Sequence, residues 1–109
     1  MLQQYGLLPT PTLLMEIYAK CYRDPLRRGL GLMLRRPRPV FLAGVNSVHT
    51  WFMLGPIWAV FLDGESRVID VAYLRPWRLH SAREATGVLE LPGGEKPPKK
   101  GDVLEVVCV

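Results

Sequence analysis

From Val40 onward the apolar residues come in short runs, each closed by Gly, Pro, Asp, Asn or Ser, which leaves little room for a helix. Val40 to Ala43, Thr50 to Leu54, Ile57 to Leu62, Val68 to Leu74, Gly87 to Leu91 and Val103 to Val109 are rich in valine, aromatics and leucine. Such residues suit a pleated, half-buried surface, so these runs read as strands. Asp63-Gly64 between IWAVFL and RVIDVAYL is the strongest turn signal, and a loop over Asp63 to Ser66 predicts an antiparallel hairpin. Pro92-Gly93-Gly94 stops another strand, and Gly101-Asp102 turns the chain into a terminal one.

The first third reads differently. Alternation over Leu13 to Cys21 puts Leu13, Met15, Ile17, Ala19 and Cys21 on one face, while Leu13, Leu14, Ile17, Tyr18 and Cys21 also fit a helical stripe. The segment is ambiguous taken alone. Asp24 as N-cap, with Pro25 at the first helical position and Gly29 or Gly31 as stop, predicts one short helix near residues 24–30. In Arg36-Pro37-Arg38-Pro39 the prolines deny backbone donors and favour extended chain. The sum is a mainly β chain: a compact antiparallel β-sandwich or barrel-like single domain with that helix as decoration, residues 1–11 reading as an N-terminal extension and 12–109 as the core β-domain.

Composition supports a folded domain. The 109 residues are 49% apolar and 22% charged, enough apolar material to offset the entropy of ordering a single small core. No apolar run approaches the roughly 20 residues a spanning helix needs, so neither a transmembrane segment nor a membrane partner is expected. The start, MLQQYGLLPTPT, lacks the basic residue and cleavage pattern of a secretory leader, which makes the cytoplasm the default expectation.

Charge is unevenly spread. The chain carries +4 overall, with +5 in residues 1–38 and −1 in residues 39–109. The segment RRGLGLMLRRPRP, with Arg27, Arg28, Arg35, Arg36 and Arg38, forms a basic patch that fits phosphate neutralisation on nucleic acid or an acidic partner. It contains no aromatic side chain to stack on bases, and the same arginines serve equally as a solvated face.

Cys21 and Cys108 lie far apart in sequence and show no metal-ligand spacing. They read first as two buried thiols acting as small hydrophobes, and second as a disulfide tying the termini together. Few amides and ten prolines suit a heat-adapted source, where such a disulfide gains weight.

Several motifs recur in a recognisable order: Arg28-Gly29-Leu30; Ser47, His49, Thr50 and Met53; Pro56-Ile57 and Phe61-Leu62-Asp63; Leu74-Arg75-Pro76-Trp77-Arg78; Val88-Leu89-Glu90-Leu91-Pro92-Gly93; and Gly101-Asp102. In these the chain, over roughly Leu14 to Val107, resembles the domain of unknown function 192 family, small single-domain proteins of bacteria and archaea. The resemblance implies a mostly antiparallel β-sandwich or barrel with Leu14 to Lys20 as its first strand, and it implies no activity. The chain departs from the pattern at Trp58, where members usually carry an aspartate after Pro-Ile, and at Leu54-Gly55, which fills the gap after Met53.

His49 and Thr50 introduce polar groups among apolar neighbours, with Ser47 just before, and a buried polar group needs a partner. His49 is either a ligand-contacting donor or base, or a structural histidine bonded to a loop carbonyl. Arg75, Trp77 and Arg78 offer two guanidiniums around an indole, a set suited to binding an anion and stacking an apolar body; equally, the arginines can lie over the tryptophan and pair with Glu84 or Glu90. Trp51, Phe52, Met53 and Trp58 read as core packing. No cofactor is implied, and a metal site from His49, His80 and Cys108 has no support in spacing.

The leading expectation is therefore a non-catalytic β-domain binding a small anionic ligand or a partner protein near His49, Thr50, Arg75, Trp77 and Arg78. The alternatives are nucleic-acid or acidic-partner binding through the basic segment, and a hydrolase-like enzyme using His49 with Glu90 or Asp70.

Overall fold

The computed structural model describes residues 14–23 and 37–109. Among the described residues eight strands follow in chain order: β1 Leu14–Tyr22, β2 Val40–Ala43, β3 Ser47–His49, β4 Ile57–Leu62, β5 Val68–Leu74, β6 Leu79–Ser81, β7 Gly87–Pro92 and β8 Val103–Cys108. Six of them form one sheet in the order β5-β4-β7-β2-β1-β8, and β3 pairs with β6 in a separate two-stranded ribbon.

Alternation wins over the helical stripe in β1, whose residues switch between exposed and inward from Leu14 to Lys20. The long pairing with β8, from Leu14 opposite Val103 to Ala19 opposite Cys108, satisfies a backbone that a helix would have bonded internally. The β4–β5 hairpin forms as its Asp63-Gly64 signal predicts, with Ile57 opposite Leu74 and a register shift at Phe61/Leu62. Asp63 organises that turn: its carbonyl accepts from Ser66 N (3.0 Å), and its Oδ1 accepts from Glu65 N (2.9 Å) and Arg67 N (3.0 Å).

The expected all-antiparallel sheet is corrected. β1 runs parallel to both β2 and β8, while β2–β7, β4–β7, β4–β5 and β3–β6 are antiparallel. A parallel neighbour needs a long crossover, which the stretch between Tyr22 and Val40 supplies for β1–β2. The expected helix at 24–30 lies outside the described residues, as does the proposed extension at 1–11; among the described residues there is no helix.

The sheet curls until its outer strands meet. Val68 N donates to Asp102 O (2.8 Å), Gly101 N to Val68 O (2.8 Å) and Leu104 N to Ser66 O (2.9 Å), with an antiparallel bridge between Arg67 and Val103. The result is a half-barrel, a shape that shields strand edges from pairing with other chains. One face of the curl packs Ala19, Val60, Leu62, Val68, Leu89, Leu91 and Leu104. The other packs Ile57, Ala59, Phe61 and Val88, and is covered by Val48 of the β3–β6 ribbon together with Met53 and Ala85.

Cys21 and Cys108 form a disulfide, with Cα atoms 5.4 Å apart, so the reading as two free thiols is corrected. The cause is the parallel register. With Ala19 opposite Cys108, the neighbouring β1 position Cys21 comes within bridging reach.

Candidate functional site

The segment Thr50 to Leu54 is not a strand. β3 ends at His49, and the chain turns because Thr50 is bonded sideways to the segment that follows β5. Thr50 N donates to Arg78 O (2.8 Å), and Trp77 N donates to Thr50 O (3.0 Å). The Thr50 hydroxyl donates to Arg75 O (2.6 Å) and accepts from Arg78 N (2.7 Å). Thr50 is fully buried, so these bonds satisfy its polar atoms and lace the turn 50–53 to the turn 75–78.

Both laced turns hold a bulky aromatic in the left-handed backbone region, Phe52 at φ 64° and Trp77 at φ 68°. That region costs a residue with a Cβ roughly 1–2 kcal/mol. The two rings meet edge to face with centroids 4.7 Å apart. Yet they are not core residues: Phe52 is 46% exposed and Trp77 57%. Trp51 at 46%, Leu54 at 62% and Leu79 at 66% are exposed as well, with Leu79 directly across the ribbon from His49. The expectation that Trp51 and Phe52 pack in the core is therefore corrected; of that set, Met53 is buried and Trp58 partly so.

His49 lies on the outer face of the ribbon. Its ring stacks on Trp51 at 4.8 Å, and its Nδ1 accepts from Trp51 N at 3.3 Å. Arg75 and Arg78 are exposed, and Arg78 Nη1 donates to Trp77 O (3.3 Å). No acidic residue occurs in 49–54 or 75–79, so the patch is positive. The fold thus brings together all five sequence-selected residues, His49, Thr50, Arg75, Trp77 and Arg78, with Thr50 beneath the surface as the tie.

Sequence reasoning missed Trp51, Phe52, Leu54 and Leu79 as part of this surface. The available signal was Leu54-Gly55-Pro56, a turn directly after an aromatic pair, which argues against a continuous strand. His80 sits in β6 with its ring against Phe61.

His80 Nε2 bonds Asp70 Oδ2 at 2.9 Å, and that bond is the main cause of an Asp70 pKa below its usual value. Glu90 is 2% exposed in the middle of β7, between Val40 and Ala59, and its Oε1 has no hydrogen-bond partner among the described residues. Burial pushes its pKa up to about 8, so it sits neutral at pH 7. Neither carboxyl is bonded to His49, and neither Arg75 nor Arg78 pairs with Glu90. Among the described residues, no three His, Cys, Asp or Glu side chains are grouped to hold a metal ion.

Of the basic segment, Arg27, Arg28, Arg35 and Arg36 lie outside the described residues; Arg38 is exposed and donates to Tyr22 Oη at 3.4 Å. Trp58, at the position of the expected aspartate, donates Nε1–H to Gly93 O (3.2 Å) and packs edge to face on Tyr73 at 5.0 Å. Packing occupies that position.

No family model matches the chain. Individual relatives do. The UPF0127 protein of Pyrococcus horikoshii is 37% identical over 91 residues, covering 73% of this chain and 79% of that relative. The chain belongs to the UPF0127 family. A second UPF0127 protein, from Pyrococcus abyssi, is 36% identical over 90 residues, covering 75% of this chain and 77% of that relative. The UPF0127 family is uncharacterised, and these relatives come from heat-adapted archaea. Two solved structures share the fold: a Sinorhizobium meliloti protein (TM-score 0.63, 22% identity, 70% of this chain and 68% of that one) and a Novosphingobium aromaticivorans protein of unknown function (TM-score 0.58, 19% identity, 78% and 71%). Among the described residues no helix is long and apolar enough to cross a membrane.

Proposed function

We propose that this UPF0127 protein is a non-catalytic binding domain whose laced turns, 49–54 and 75–79, recognise a ligand combining a negative charge with an apolar body. One observation carries the reading. Phe52 and Trp77 are held in a strained backbone region by buried hydrogen bonds, and the strain is not offset by burial, because both rings remain about half in water. Strain that persists because its surroundings enforce it, at an exposed apolar surface, favours a recognition role over a packing role. Arg75 and Arg78 supply bidentate donors for the anion, and the Phe52–Trp77 pair supplies faces for the apolar body. The same motif order supports the narrower reading of the chain as a domain of unknown function 192 protein.

Phenyl phosphate is the matching probe. In an NMR titration it is expected to shift amides of 49–54 and 75–79 as one group, with inorganic phosphate acting more weakly because it lacks the ring. Shifts absent at millimolar phenyl phosphate, or grouped elsewhere, overturn the reading.

A further inference from the structure

We propose that the physiological partner of this patch is the surface of an anionic phospholipid membrane, onto which the tips of the two turns dock; this rests on the binding reading above and names its ligand. The sequence-level expectation of no membrane partner concerned spanning helices, and peripheral docking needs none.

Three observations select this occupant. First, the side chains are those that favour the water–lipid boundary: two tryptophans, a phenylalanine and two leucines, the indoles keeping a polar edge for the headgroups. Second, the charge is complementary, because the exposed Arg75 and Arg78 stand on either side of Trp77 in the chain and neither turn carries a carboxylate. Third, the area is small. With exposures of 46% to 66%, and aromatics presenting about 150–250 Å² each, the five side chains offer roughly 500 Å². That falls short of the roughly 800 Å² per partner of a stable protein interface, whereas shallow insertion of two turn tips needs no more. The lacing by Thr50 fixes the tips before contact, so little ordering entropy is lost on docking.

The test is co-sedimentation of the full chain with vesicles of phosphatidylglycerol and phosphatidylcholine, alongside pure phosphatidylcholine. The expected result is binding to the anionic vesicles with a blue shift of tryptophan emission, and binding at least about 10-fold weaker to neutral vesicles or to anionic ones in the Arg75→Gln/Arg78→Gln variant, as about 1 kcal/mol per arginine implies. Phe52→Gly/Trp77→Gly, which suits the positive φ at both positions, is expected to lose binding while keeping the folded circular-dichroism spectrum. Sedimentation with neither vesicle, or binding unchanged in the glycine variant, overturns the inference. Phenyl phosphate shifts at the patch without vesicle binding would overturn the lipid assignment and leave the binding reading standing; no response to either removes both.

Discussion

Among the described residues Thr50 and Glu90 are the two buried polar side chains, and they are solved in opposite ways. Thr50 has every polar atom bonded; Thr50→Val keeps its shape but leaves Arg78 N and Arg75 O without their partner. At about 1–3 kcal/mol for each orphaned group, the expected loss is roughly 2–4 kcal/mol by denaturant unfolding, with broadened amides in both turns. Glu90 has an orphaned oxygen and a pKa raised from 4.5 to about 8. Between these values the unfolded chain has released the proton and the folded one keeps it, so stability falls as pH rises through that window. Glu90→Gln is expected to flatten the decline, which is on the order of 3–5 kcal/mol, and to make the variant the more stable protein near pH 8. Parallel pH curves for the two proteins would refute the assignment. Asp70 acts in the other direction: its lowered pKa contributes stability above the ordinary aspartate range that is lost as pH falls through its folded value. His80→Ala should remove that acid-side component.

Legibility followed how local the determinants were. The β4–β5 hairpin was readable because its alternating runs and the Asp63-Gly64 turn are contiguous. Ser66 within that loop has φ 63°, where glycine fits without a Cβ clash, so Ser66→Gly is expected to raise stability by about 0.5–1 kcal/mol in thermal unfolding. β1 was ambiguous because its composition satisfies both periods, and only pairing with β2 and β8 decides it. The segment after His49 was misread because its β-forming residues obey a tertiary instruction, the hydrogen bonds to residues 75–78, that no local pattern encodes. The polar members of the site could be picked out because polar groups among apolar neighbours stand out; its aromatic members could not, because exposed and buried aromatics look alike in a sequence.

For the molecule as a whole, the half-barrel is closed by hydrogen bonds where β5 and β8 begin, and the disulfide staples the neighbouring strands β1 and β8. The bridge spans a sequence separation of 87, a long loop whose closure removes much denatured-state freedom. Cys21→Ser/Cys108→Ser is expected to lose about 2–5 kcal/mol while keeping the β spectrum, and a loss under about 0.5 kcal/mol would show the bridge to be dispensable. The heat-adapted origin of the UPF0127 relatives accords with an intrachain disulfide in a small domain. The proposed recognition surface is carried by the strained rings of the two laced turns. Phe52→Gly/Trp77→Gly, compared with wild type in unfolding and in phenyl phosphate titration, tests it most directly. The expected result is a stability cost below about 2 kcal/mol, as released strain offsets part of the lost packing, together with loss of the ligand response. A cost of about 3–5 kcal/mol per residue with the response intact would make these rings core residues and contradict it.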